Sequence, residues 1–509
     1  MGTTMKISNT TVQRLLAISI SLTCASTFTS VAFASDYIVR LRQPLNSQAQ
    51  AKDLISKAGF SADSKVQIVN GEEGVLKIRT DGAVDANISG DVISVSKNKM
   101  YRPAMNFRLK SAPKKLAPTD KYTGNSVMRF LDTSGPFADL SDGNQSYIFS
   151  TPPAVVTQLP YVMDGLDPLA ANDYALTNIN FPANNDIQAN ILTAVVDTGV
   201  DYNHEDLMGA MWRKPGSNGT VVGYDFAHDN ALPFDNKHFD IDGCLADKDC
   251  AQGIGAEKFM VNPGHGTHCA GHIAAVYNNS KGIRGIGAGA KIMALKFFYD
   301  FGEEGAGQGD DAAAIKAIDY AVKNGVKVIS ASWGGREPIE KDPTTSELRQ
   351  ALVRAQQAGV LFIVAAGNDG INQDTDDKPV YPALYHLDNM IVVAATDIND
   401  QIADFSNYGS QTVDIAAPGV KILSTTADGG YNDVVAKYSK DGKEGEMDWD
   451  GTSMATPIVA GAAALIWSQY PNEDYHQIRD RILNNARKVP GLDGKVVTGG
   501  ILDVSAALQ

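Results

Sequence analysis

Short apolar runs separated by helical stretches limit what this chain can fold into more than any other feature. From about residue 185 the runs read "ILTAVVD", "KIMALKFF", "VKVISASW", "VLFIVAAGN", "MIVVAAT" and "TVDIAAPG". Among them lie "DDAAAIKAIDYAVKNG" and "TSELRQALVRAQQAG", each closed by a glycine that stops a helix. Strands that are apolar throughout, rather than at alternate positions, are buried on both faces, and helices are what cover them. The expected fold is therefore α/β, a parallel central sheet with helices on both faces. Such sheets carry their ligand chemistry beyond the C-terminal ends of the strands, so the residues just after each run deserve the first look.

The rest of the chain divides into smaller pieces. Lys6 and Arg14 precede an apolar stretch, Leu15 to Leu22, and Ala32-Phe33-Ala34 ends it as a cleavage signal. Residues 1–34 are read as a signal peptide cut after Ala34. That predicts a secreted or periplasmic protein without a stable membrane anchor, since the stretch is too short to span a bilayer. A lipoprotein signal at Cys24 is the rival, weakened by Thr23 where a smaller residue is usual. Residues 35–100 read as a small α+β unit. "DYIVRL" is a strand, "SQAQAKDLISKAG" a helix with Ser47 as cap, "SKVQIVNGEEGVLKIRT" a hairpin around Asn70-Gly71, and "DVISVSKN" a last strand. Residues 101–165 are proline-rich and read as an irregular linker, leaving 166–509 for the α/β domain.

Charge and cysteine follow the same division. Residues 1–120 carry 16 Lys+Arg and 9 Asp+Glu, net +7, against −22 for the remainder of a chain whose total is −15. Complementary surfaces on the two pieces are expected, and the acidic body argues against nucleic acid as a partner. An exported chain keeps Cys244, Cys250 and Cys269. Cys244 and Cys250 sit close together in a Gly/Asp-rich loop and are the expected disulfide, which leaves Cys269 as a free thiol.

Four candidate residues lie where the sheet rule points. Asp197 closes "ILTAVVD"; an aspartate there is often only structural. "GHGTHCAGH" holds His265, His268 and His272, three of the eight histidines. Their spacing puts them near one helix face, which suits a metal site, a catalytic base or plain packing. Gly266 and Thr267 stand where a helical zinc protease would need His-Glu-x-x-His. Ser453 opens "GTSMATPIVAGAAALIW", as an N-cap or as a nucleophile on which helix N–H groups converge, with Pro457 expected near the first turn. Asn368 in "AAGND" is a turn residue or a donor into a cleft. Together they supply a nucleophile, a base, an orienting acid and an oxyanion donor, in the order Asp, His, Ser.

"VVDTGVDYNHEDL", "GHGTHCAGHIAA", "AAGN" and "GTSMATPIVAGAAAL" closely resemble the Asp, His, Asn and Ser motifs of subtilisin-like serine proteases, over about residues 165–509. The cysteine in "HGTHCAG" resembles the proteinase K and thermitase side of that family. The resemblance implies a broad-specificity serine endopeptidase acting through an acyl-enzyme. Asp197, His265 and Ser453 would be the triad and Asn368 an oxyanion donor, which leaves His268 and His272 to packing or surface. Ser332, Trp333 and Gly334 in "SWGG" would pair with extended substrate as an added strand, and Ala331 stands where the family often has Asn. "YNNSKGIRG" resembles the family's calcium loop, with Asp206 and Asn279 as side-chain ligands and Tyr277, Lys281 and Ile283 offering carbonyls. The aspartate-rich stretch 225–249 is a second calcium candidate or a solvated loop. Residues 36–100 resemble the inhibitory propeptide, removed by self-cleavage. The expected partners are polypeptide substrates and this propeptide, on a monomer. Two rivals remain: a non-catalytic binding relative, and the acid-active sedolisin branch, against which "HGTH" argues.

Overall fold

The computed structural model describes residues 35–58, 60–61, 63–80, 91–106, 110–111, 167–170, 173–182, 188–239, 260–300, 307–440 and 443–509. The expected signal segment, the Cys244–Cys250 pair and most of the linker lie outside them.

A nine-stranded sheet forms the body. Its order runs Arg487–Lys488, Gly500–Ile501, Ile415–Pro418, Met390–Thr396, Leu361–Ala365, Val328–Ala331, Leu192–Asp197, Lys291–Lys296 and Gly223–Asp225. The described pairings are parallel except Arg487–Lys488 against Gly500–Ile501. Each apolar run of the sequence supplies one strand, and successive side chains go to opposite faces. Val195 belongs to one core, with the helices His265–Ala274, Thr452–Gln469 and Tyr475–Asn484. Its neighbours Ala194 and Val196 belong to the other, with Asp311–Lys323 and Glu347–Gln357.

The N-terminal unit is the predicted α+β piece. Its sheet has the order Lys65–Asn70, Val75–Thr80, Ser35–Leu41 and Val92–Lys97, all antiparallel. The helix Gln48–Lys57 packs on it, and the Ser47 side chain accepts from Gln50 N as expected of a cap. Ile38, Val69 and Val75 join the core under Asp311–Lys323 and Glu347–Gln357. Around them stand two ion pairs, Lys77 Nζ to Asp310 at 2.5 Å and Arg40 to Glu347 at 3.2 Å, and a hydrogen bond donated by Asn70 Nδ2 to Asp319 at 2.6 Å. Residues 35–100 carry 9 Lys+Arg against 8 Asp+Glu, so the contact rests on these individual pairs, and most of the +7 of residues 1–120 lies outside this unit.

Candidate active site

Asp197 ends its strand beside His265, the first residue of the helix His265–Ala274. His265 Nδ1 lies 2.7 Å from Asp197 Oδ1, and both side chains are buried. Burial opposes the imidazolium, but the Asp197 charge beside it wins and holds the His265 pKa well above the ordinary value. The helix start is tied down by groups the sequence did not single out. Asn262 Oδ1 accepts from Gly264 N and His265 N, Thr198 Oγ1 from Gly266 N, and Asp235 Oδ2 from Thr267 N and Oγ1. Asp235 also accepts from Thr198 Oγ1 and Asn262 Nδ2. It is fully buried, so at this position the aspartate-rich stretch is not a solvated loop. Its only sequence signal is its place after the apolar Pro233-Phe234. Gly266 is required: a Cβ there would stand 2.1 Å from Gly199 O.

Ser453 is the second residue of Thr452–Gln469, after Gly451. Pro457 is not at the first turn but inside this helix. Lacking an N–H, it leaves the Ser453 carbonyl without its intrahelical donor. Ser332 Oγ at 2.9 Å and Cys269 Sγ at 3.6 Å take that place. Ser453 Oγ donates to Ser332 O at 2.8 Å, and His265 Nε2 is buried without a partner among the described residues. Asn368 Oδ1 accepts from Thr452 N and Oγ1, both at 2.9 Å. That fixes the amide and leaves Nδ2 buried without a partner among the described residues.

Residues 101–106, expected to begin an irregular linker, instead lie across this site. The strand Met100–Pro103 pairs antiparallel with Trp333–Arg336 on one side and Gly309–Asp310 on the other. Ala104 N donates to Ser332 O at 3.0 Å, Ser453 N donates to Ala104 O at 3.1 Å, and Asn106 N donates to Asp450 O at 2.8 Å. A Cβ on Gly451 would stand 2.4 Å from Ala104 O and 3.3 Å from Asn368 Nδ2. The glycine thus keeps open the space where carbonyl and amide meet. Pairing of this kind is invisible to a local reading, because the strand's partners lie over 200 residues away.

The chain matches the subtilase family model over residues 188–499. It belongs to the subtilase family. It is 37% identical to thermitase of Thermoactinomyces vulgaris over 298 residues, 58% of this chain and 81% of that protein. It is 30% identical to subtilisin DY of Bacillus licheniformis over 321 residues, 63% of this chain and 92% of that one. The fold is similar to that of fervidolysin from Fervidobacterium pennivorans, with a TM-score of 0.59 and 24% identity, covering 95% of this chain and 62% of the other. This subtilase is a serine endopeptidase, and polypeptides are its substrates.

The other predicted positions fall as follows. His268 stacks on Trp449, with centroids 4.0 Å apart, and His272 packs edge-on to His268. Burial pushes His272 down to about 3. These two are packing residues, as the family resemblance implied. The donors that do converge are those of Asp197, His265 and Cys269, within 4.8 Å of one another. Cys269 is buried and free, 4.0 Å from His265 Nδ1. Trp333 is wholly buried against Phe297 and Tyr101. Asp206 accepts from Asn279 Nδ2 at 2.7 Å and Ile283 N at 3.3 Å, while Lys281 Nζ turns to Glu205. Burial pushes Asp206 up to about 7, and nearby Asp167 adds a second carboxylate that sequence reading missed. Among the described residues no helix is long and apolar enough to cross a membrane.

Proposed function

We propose that this subtilase is exported as a precursor and cuts itself between Ala104 and Met105, after which residues 35–104 remain as an inhibitor until released. The observation that carries this is the Ala104 carbonyl, held by Ser453 N above the helix N-terminus while the flanking backbone pairs on both sides of it. In the reaction Ser453 Oγ turns from Ser332 O to His265 Nε2 and gives up its proton as it attacks the Ala104 carbonyl carbon. The oxyanion takes hydrogen bonds from Ser453 N and Asn368 Nδ2. His265 then passes the proton to the Met105 nitrogen as the C–N bond breaks, and water hydrolyses the acyl-enzyme. Asp197 orients His265 and stabilises its imidazolium. Each oxyanion donor contributes about 10²–10³ in turnover. Other substrates bind along Ser332, Trp333 and Gly334 through main-chain bonds, which favours broad specificity.

The Asp206 loop suits a hard cation. Asp206 and Asn279 supply oxygen, the carbonyls of Tyr277, Lys281 and Ile283 are the other candidate donors, and the neighbouring Asn278 Oδ1 is buried without a partner among the described residues. Bound there, calcium would offset the buried Asp206 charge and brace the loop.

The test is Ser453→Ala. The purified variant is expected to lose at least about 10⁴-fold in peptidase activity and to stay uncut, whereas N-terminal sequencing of the wild-type mature form finds Met105. A variant that matures normally when pure would sink self-cleavage.

A further inference from the structure

Tyr101 is the fourth residue before the Ala104–Met105 bond, counting Ala104 as the first. It is completely buried, although it belongs to the N-terminal piece. Its ring packs against Trp333 at 5.1 Å between centroids, tilted by 56°, and Trp333 is backed by Phe297 at 4.8 Å. Gly335 leaves room for it; a Cβ there would stand 3.3 Å from Tyr101 Cδ1. At the end of this aromatic slot the Tyr101 hydroxyl donates to Asp311 Oδ1 at 2.7 Å. Asp311 Oδ2 accepts from Lys99 N at 3.0 Å. One carboxylate thus holds the backbone of one bound residue and the side-chain hydroxyl of another, two positions away.

We infer that Asp311 is a specificity-determining residue, and that the cleft selects tyrosine over phenylalanine at the fourth residue before the cut. The inference rests on the reading of residues 100–106 as a substrate-like segment. The backbone bond to Lys99 is available to any sequence, but the second oxygen of Asp311 is paired only if the occupant carries a hydroxyl at that depth. Phenylalanine would fill the same slot and leave that oxygen dry and unpaired. Leaving a buried acceptor unpaired costs more than a well-made neutral hydrogen bond contributes, and sites built around a substrate hydroxyl reject the analogue lacking it. Burial pushes Asp311 up to about 6, with the Lys99 charge and the Tyr101 hydroxyl opposing.

Mature enzyme would be given two peptides, Lys-Met-Tyr-Arg-Pro-Ala-Met-Asn and the same sequence with Phe in place of Tyr, with kcat and KM measured separately at the Ala–Met bond. The tyrosine peptide should have the higher kcat/KM by at least about tenfold. Asp311→Leu should bring the ratio to one or below, by loss on the tyrosine peptide and gain on the other, while Asp311→Asn, which keeps an acceptor oxygen, should retain part of the preference. Equal cleavage of both peptides by the wild type would overturn the subsite and leave self-cleavage at Ala104 standing. Failure to cut either peptide there, in enzyme that a fluorophosphonate labels at Ser453, would overturn the substrate-like reading of residues 100–106 and the subsite with it.

Discussion

The helix Thr452–Gln469 and the N-terminal unit both press against the same sheet-and-helix body, through different chemistry. Every residue of the helix from Thr452 to Trp467 is buried, and none of them is charged. It packs against the sheet through side chains such as Met454, Ile458 and Val459, in one core with Val195 and Ile363. The N-terminal unit has its own small core, lends Ile38, Val69, Val75 and, through the strand Met100–Pro103, Tyr101 to the body's, and around them meets it through charges. The first joint cannot open without exposing apolar surface on both sides. The second exposes less apolar surface and exchanges ion pairs for water, as the proposed release of residues 35–104 requires.

The contrast can be broken at its apolar end first. Ile458→Ala should destabilise the mature enzyme by about 2–5 kcal/mol, because a rigid, fully packed site collapses little around the cavity. Chemical denaturation reads this, and a shift under about 0.5 kcal/mol would mean that the helix is not the joint described here. If the proposed cut at Ala104 removes Lys77, Lys77→Ala should leave the denaturation midpoint of mature enzyme unchanged. It should instead speed release of the N-terminal piece about tenfold, by removing the cationic partner of Asp310. The same release should quicken modestly with salt, because these pairs are largely buried and screened less than surface pairs, and a lag before activity that ignores both changes would refute the electrostatic half of the comparison.

The smallest effect concerns the Asp206 loop. Its carboxyl has an ordinary value of 3.8 unfolded and about 7 in the fold. Between those values the native state binds the extra proton, so stability should fall as pH rises through that window. Calcium should remove the fall, and a chelator should restore it. Identical pH profiles with and without calcium, read by thermal unfolding, would reject a cation at Asp206.

How much of this was legible depends on distance along the chain. The Ser47 cap, the hairpin at Asn70-Gly71 and each buried strand announce themselves within a few residues. Asp197, His265, Asn368 and Ser453 were also legible, because each follows a strand or opens a helix in a motif of its own. Pro457 was placed wrongly by local rules, which know that proline suits a first turn but not that Ser332 and Cys269 would rescue the carbonyl it orphans.

Composition and pattern by themselves determined a parallel sheet covered on both faces, a chemical centre at the strands' C-terminal ends, and an excess of base before residue 120 against an acidic remainder. Periodicity and charge are properties of order along the sequence, so sequence is enough to read them. Only the tertiary structure decided that Asp235 is a buried acceptor, that Tyr101 enters an aromatic slot closed by Asp311, and that Ala104 meets Ser453 N. Each of those depends on which groups lose water together, and a carboxylate in a polar loop reads alike in sequence whether its partners come from distant segments or from solvent.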